Sequence, residues 1–261
     1  AIGYQALSTN TIGTNNTALG VNSLLFNTTG GQNTAVGRST LQNNTIGLTN
    51  SAFGSYSLNA NTTGSQNSAF GYKSLVSNTT GVYNNAFGYR ALQGNTTGSY
   101  NIAMGTNALY TNTIGSQNVA IGFETLFSGV SGVKNTAVGF QALRSSLTSY
   151  NSAFGYRALR FNTTGADNSA FGYRALDTNT IGKQNTAVGG AALFSNTTGD
   201  ANTAFGYLAL YNNTIGYENI AIGNSSLRNN TTGKYNVAVG TIALRQNTIG
   251  VNNTAVGQAA L

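Results

Sequence analysis

The stretch Asn67-Ser68-Ala69-Phe70-Gly71-Tyr72-Lys73-Ser74-Leu75-Val76-Ser77-Asn78-Thr79-Thr80-Gly81-Val82-Tyr83 decides the fold. It is seventeen residues long, and the 261-residue chain is built of copies of it. With Gly71 as phase marker, the equivalents are Gly3, Gly20, Gly37, Gly54, Gly88, Gly105, Gly122, Gly139, Gly155, Gly172, Gly189, Gly206, Gly223, Gly240 and Gly257. Every step is 17 residues except Gly139 to Gly155, which is 16. A fixed period this short is the signature of a solenoid or repeat array.

Comparison among the copies separates required positions from tolerant ones. Two residues before the marker stands Ala in all sixteen copies, and four after it stands Leu in all sixteen. Of these, Ala69, Leu75, Ala86, Leu92, Ala170 and Leu176 represent the expected core. Four before the marker stands Asn in every complete copy: Asn16, Asn33, Asn50, Asn67, Asn84, Asn101, Asn118, Asn135, Asn151, Asn168, Asn185, Asn202, Asn219, Asn236 and Asn253.

Each unit holds two Gly, two Asn and several Thr, all poor helix formers. The run Asn-Thr-Ala-Φ (Φ apolar) reads as a short strand with alternate side chains on opposite faces. The marker Gly turns the chain, and the Ala-Leu pair is expected to begin a second short strand. Asn-Thr-Thr/Ile-Gly reads as a loop, with its Gly free to take the left-handed backbone region. The fold class expected is therefore all-β, a parallel β-solenoid of about sixteen 17-residue coils. Residues 1-261 are expected to form a single rod of roughly 75 Å at the spacing of hydrogen-bonded strands. Identical positions then stack, and the Asn row is expected to be a buried ladder of amides bonded up the stack.

If Ala and Leu point inward, period 2 sends Φ outward. The outward stripe comprises Leu19, Val36, Phe53, Phe70, Phe87, Met104, Ile121, Val138, Phe154, Phe171, Val188, Phe205, Ile222, Val239 and Val256. One Leu and one Ala per coil offset little of the entropy lost in ordering seventeen residues. Φ is therefore expected to be buried too, against other chains or inside a wider roll. Tyr4, Tyr72, Tyr89, Tyr156, Tyr173 and Tyr207 share the phase after the marker and are expected to edge that interface or cover the turn.

Composition excludes several classes. Charged residues are 7% of the chain, against roughly 25% in globular domains, yet 40% is hydrophobic, which argues against disorder. There is no His and no Cys, so no zinc cluster, Cys nucleophile or Ser-His-Asp arrangement is available. The five acids, Glu124, Asp167, Asp177, Asp200 and Glu218, are too scattered for a calcium repeat. No catalytic residue, cofactor or metal site is expected, and the protein is not expected to be an enzyme. The net charge is +7, with Lys73, Arg90, Arg157 and Arg174 sharing one phase and Arg144, Arg160, Arg228 and Arg245 another. Such rows attract anionic polymers when dense. Here they are sparse, a solvated face is the simpler reading, and no nucleic-acid partner is expected. No apolar run is long enough to insert in a membrane. The chain opens at Ala1-Ile2-Gly3 and closes at Ala259-Ala260-Leu261, inside the repeat at both ends, so it reads as part of a longer protein.

Three further features stand out. The loop row alternates in part (Ile12, Thr29, Ile46, Thr63; later Ile181, Thr198, Ile215, Thr232, Ile249). Gly129-Val130-Ser131-Gly132 and Ser145-Ser146-Leu147-Thr148 replace the regular loop, so irregular coils are expected near residues 127-150. Asn27-Thr28-Thr29, Asn61-Thr62-Thr63 and Asn78-Thr79-Thr80 match the N-glycosylation pattern, which the repeat generates whether or not it is used.

The motif Asn-x-Ala-Φ-Gly-x-x-Ala-Leu, as in Asn118-Val119-Ala120-Ile121-Gly122 and Asn236-Val237-Ala238-Val239-Gly240, resembles the head repeat of trimeric autotransporter adhesins of the YadA-like type. Similar repeats occur in phage and virus tail-fibre proteins. The resemblance covers essentially the whole chain. It implies a left-handed roll, three chains packed into one rod, and projection from a cell or virion surface towards host surface or matrix. The family's usual repeat is shorter, and the extra length here is the Asn-Thr-Thr/Ile-Gly loop, which recurs thirteen times. The function expected is a structural and adhesive extracellular fibre segment whose main partner is itself. The alternatives are a self-assembling extracellular filament subunit, or an ice-binding face built on Thr28, Thr62, Thr79 and Thr96.

Overall fold

The computed structural model describes residues 1-261. The chain is all-β without helix, and its fifteen strands are parallel and three residues long. It forms two compact units, Ala1–Val133 and Lys134–Leu261. The boundary falls within the stretch where the repeat loses its regular loop.

The first unit carries β1(Thr17–Leu19), β2(Thr34–Val36), β3(Ser51–Phe53), β4(Ser68–Phe70), β5(Asn85–Phe87), β6(Ile102–Met104) and β7(Val119–Ile121). Each strand pairs with the next in parallel register, residue i with i+17, as Ala52 with Ala69 and Ala69 with Ala86. The second unit carries β8(Thr136–Val138), β9(Ser152–Phe154), β10(Ser169–Phe171), β11(Thr186–Val188), β12(Thr203–Phe205), β13(Ile220–Ile222), β14(Val237–Val239) and β15(Thr254–Val256). There, β8 pairs with β9 at a step of 16, Ala137 opposite Ala153, and the step of 17 resumes at β10. Ile2 bridges to Leu19, so the first copy of the repeat is only a partial coil.

There is one strand per coil, not two. The Ala-Leu pair lies in a turn, and its Leu adopts a left-handed backbone, with φ 50° at Leu75 and 51° at Leu92. Two other non-Gly residues in each coil do the same, as Lys73 (φ 56°) and Tyr83 (φ 56°). For L residues this region costs roughly 1–2 kcal/mol. A tight coil with three such corners leaves no room for a second extended segment. What holds Leu75 there is burial without solvent exposure and a bond from its N–H to the Ala91 carbonyl of the next coil, 3.0 Å. The coil as a whole is tied the same way: Ser68 N–H donates to Asn84 O at 2.8 Å, Thr79 N–H to Thr96 O at 2.9 Å, and Gly88 N–H to Phe70 O at 2.8 Å.

The two glycines of each unit serve different ends. The marker takes a φ open only to glycine, +133° at Gly71, and a Cβ there would sit 2.5 Å from the Gly88 carbonyl oxygen. The loop glycine, by contrast, is not in the left-handed region. At Gly30 a Cβ would lie 2.5 Å from Asn27 Oδ1 and 2.5 Å from the Gly47 carbonyl oxygen. Space, not backbone conformation, demands glycine there.

The core is narrow. Ala69, Leu75, Ala86, Leu92, Ala170 and Leu176 are all shut off from solvent, as are their equivalents in the inner coils.

Candidate functional site

Two asparagine columns run inside each unit. The first is the one that the repeat singles out. Asn33, Asn50, Asn67, Asn84, Asn101 and Asn118 in the first unit are buried, as are Asn135, Asn151, Asn168, Asn185, Asn202, Asn219 and Asn236 in the second. Asn16 and Asn253 are half-buried. In the column's repeated bond, the Asn84 N–H and its Nδ2 both donate to Asn67 Oδ1, at 3.0 and 3.2 Å. Nδ2 also reaches the loop of the following coil, donating to the Gly98 carbonyl at 2.8 Å. Across the short coil only part of this survives: Asn151 N–H donates to Asn135 Oδ1 at 3.0 Å and Asn151 Nδ2 keeps the Gly165 carbonyl at 3.1 Å, but in place of Asn135 Oδ1 it meets the Ser149 carbonyl at 3.2 Å.

The second column is the loop asparagine, which the sequence presents only as a turn former. Asn61 Nδ2 donates to Asn44 Oδ1 at 2.8 Å and to the Gly64 carbonyl at 2.9 Å, and Asn61 is fully buried. Asn78, Asn95 and Asn112 repeat this in the first unit, and Asn179, Asn196 and Asn213 in the second. The signal was present, since thirteen loops share this Asn. Two loops lack it. Gly129 takes the place in one, and Val130 still accepts from Thr113 N–H at 2.9 Å. Ser146 takes it in the other, and its Oγ lies 3.5 Å from Asn162 Nδ2. The irregular loops thus keep the backbone path at the cost of the amide bond.

Beside this column stands the loop threonine. Thr28, Thr62, Thr79 and Thr96 donate their hydroxyls to Thr45, Thr79, Thr96 and Thr113 carbonyls, at 3.0 to 3.1 Å. These hydroxyl protons are committed within the protein.

Outside, the strands alternate as period 2 requires. Ala faces the core in every strand, while the residues either side of it are exposed or half-buried. In the first unit the Φ stripe is Leu19, Val36, Phe53, Phe70, Phe87, Met104 and Ile121. Phe53, Phe70 and Phe87 stack as successive rings at 4.8 Å, within 10° of parallel. In the second unit it is Val138, Phe154, Phe171, Val188, Phe205, Ile222, Val239 and Val256. Phe154 stacks on Phe171 at 5.0 Å, and Phe205 is 55% exposed. No residue of this outer strand face is charged.

The corner after the marker is a second apolar row. Tyr72 stacks on Tyr89 at 5.6 Å, and Tyr156 on Tyr173 at 5.3 Å. Tyr4 and Tyr207 are exposed in the same phase. The bases lie against these rings rather than standing free: Lys73 Nζ is 5.3 Å from the Tyr72 ring centre, and the guanidinium carbons of Arg90 and Arg157 are each 4.9 Å from those of Tyr89 and Tyr156. Arg160 and Arg174 close on the fully buried Asp177, Nε to Oδ1 at 3.0 Å and Nε to Oδ2 at 2.7 Å. That carboxylate bond raises the Arg174 pKa above its ordinary value.

No cavity opens into either unit, and no group of three or more acidic side chains converges. No helix is long and apolar enough to cross a membrane. The chain matches no family model, no curated protein and no solved structure. What the coil offers its surroundings is surface: the uncharged outer strand face, the Tyr corner and the loop ridge, where Ile12, Ile46, Ile114, Ile181, Ile215 and Ile249 stand exposed.

Proposed function

We propose that this chain is a structural and adhesive segment of an extracellular fibre, a stack of coils that associates with copies of itself and projects from a cell or virion surface. The observation that carries this reading is the outer strand face. In a protein of net charge +7, neither outward strand position holds a charge in any coil, and Phe53, Phe70 and Phe87 form a stack of half-exposed rings. Apolar stripes of this extent mark association surfaces. An identical copy suits the face, because it presents the same spacing of about 4.8 Å and brings no base against another.

The resemblance to adhesin head repeats favours three chains, and a self-assembling filament is the other assembly that the same face allows. We assign no catalytic role: the chain lacks His and Cys and brings no three acidic side chains together. The committed loop hydroxyls favour the fibre over an ice-binding row.

Sedimentation equilibrium of the chain over a wide concentration range tests the reading, with Phe70→Ser/Phe87→Ser alongside. A stable three-chain species that the variant loses supports the trimer. Mass that grows without limit supports the filament. A wild-type chain that stays at 26.9 kDa at every concentration overturns self-association through this face.

A further inference from the structure

Seven loops carry Asn-Thr-Thr, the acceptor pattern for an N-linked glycan; Asn61, Asn78 and Asn95 form one run of them. We propose that in this protein a glycan on the loop asparagine and a closed coil exclude each other, so that these sequons are structural and the folded protein bars their modification.

The geometry is specific at the reacting atom. In N-glycosylation the amide nitrogen bonds to the anomeric carbon of a lipid-pyrophosphate-linked oligosaccharide. The lipid pyrophosphate leaves, and the nitrogen gives up one proton. Each of these nitrogens already uses both protons inside the protein. Asn61 Nδ2 donates to Asn44 Oδ1 at 2.8 Å and Gly64 O at 2.9 Å. Asn78 Nδ2 donates to Asn61 Oδ1 at 2.8 Å and Gly81 O at 3.1 Å. Asn95 Nδ2 donates to Asn78 Oδ1 at 2.8 Å and Gly98 O at 2.9 Å. All three side chains are fully buried. A sugar on any of them replaces one of the two N–H protons and leaves the buried acceptor of that proton unmatched. The loop asparagine makes the same bonds where no sequon exists. Asn44 precedes Thr45-Ile46, and its Nδ2 donates to Asn27 Oδ1 at 2.7 Å and Gly47 O at 3.1 Å. Its presence therefore follows the ladder, not the modification pattern.

Other sequons lie open. Asn15-Asn16-Thr17 begins on an exposed side chain and Asn43-Asn44-Thr45 on a half-buried one, so both serve as internal reporters that the transferase has reached the chain. The repeat also supplies its own control. Six loops hold Ile where the others hold the acceptor Thr, so a Thr→Ile change there removes the sequon with a residue the coil already accepts.

The test produces the full chain behind a cleavable secretion signal in an N-glycosylating cell. Limited proteolysis divides the product into resistant and sensitive fractions, and site occupancy is mapped by mass spectrometry. With Asn15 or Asn43 occupied, glycans at Asn61, Asn78 and Asn95 are expected only in the sensitive fraction, or nowhere if the coil closes first. The variant Thr29→Ile, Thr63→Ile, Thr80→Ile, Thr97→Ile, Thr164→Ile, Thr198→Ile, Thr232→Ile is expected to move any loop-glycosylated, sensitive material into the resistant fraction. Loop glycans found in the resistant fraction overturn the proposal. So does a sensitive, loop-glycosylated wild type whose sensitivity the variant does not relieve. Neither readout depends on self-association.

Discussion

Asn67 is tied to Asn50 twice, its backbone N–H and its side-chain Nδ2 both donating to Asn50 Oδ1, at 3.0 and 3.1 Å. The same Nδ2 donates to the Gly81 carbonyl at 2.9 Å, so one amide joins three successive coils. Asp in this place removes both side-chain donors and sets a carboxylate against two oxygens in a fully buried site. Asn67→Asp is expected to cost about 3–5 kcal/mol at neutral pH. Burial raises the folded-state pKa of such an Asp. Its penalty is therefore smallest below the unfolded pKa of about 3.9 and grows as pH rises. Urea unfolding at pH 4 and pH 7 checks this. An equal loss at both values contradicts the assignment.

Thr49 holds φ +57°, a corner position where a β-branched residue is strained, and its side chain is exposed. Other coils place Asn or Gln there, as Asn15 and Gln66. Thr49→Asn is expected to stabilise the protein by about 0.5–1 kcal/mol, against the loss of one exposed bond to Gln32 Oε1 at 3.2 Å. Thr49→Val should move the midpoint the other way, and chemical denaturation of both variants decides the sign.

Asp177 is fully buried between two partly exposed arginines from adjacent coils. Asp177→Asn leaves both guanidinium groups without their counter-charge. The expected loss is about 2 kcal/mol, below the range for wholly buried pairs because Arg174 retains 30% side-chain exposure. Replacing all three charges, Arg160→Met/Arg174→Met/Asp177→Leu, should recover most of it, since the site is lined by aromatic rings: Phe161 lies 3.9 Å from the Arg160 guanidinium carbon and Phe194 4.5 Å from that of Arg174. A triple variant no better than Asp177→Asn would count against an electrostatic origin.

Tyr217 and Tyr235 meet edge to face, with hydroxyl oxygens 3.5 Å apart, and Lys234 lies over both rings. The Lys234 ammonium beside Tyr217 lowers the Tyr217 pKa. The bond to Tyr217 raises that of Tyr235. Tyr217 should therefore lose its proton first as pH rises, and Tyr235 only afterwards. Lys234→Gln is expected to move the Tyr217 transition upward. Resonances of the Tyr ring carbons followed through the alkaline range report both steps.

The period, the stacked strands, the Ala and Leu core and the outward course of Phe70 were legible because a repeat must place like on like. Alternation does the rest. The corners were not legible. Leu75 sits where its own backbone preference argues against it, and only the inter-coil bond and burial explain why it stays. Asn61 was hidden for a different reason: Asn before Thr-Thr-Gly is so natural a turn former that its near-invariance passed for loop chemistry. Gly30 misled in the same way, being small for its neighbours' sake rather than for its φ. The outer face was readable as apolar because alternation sends Phe70 and its equivalents away from the Ala core.

Each coil meets only its neighbours, and residue i bonds to i+17 with the same partners throughout most of the chain. Removal or duplication of one whole coil, 17 residues such as Ser68–Asn84, therefore restores every lost bond with an equivalent one. A gene of this kind can lengthen or shorten by recombination between its own copies, in steps of one coil, without touching the cross-section. The number of coils is thus free to change, while the sequence within a coil is not.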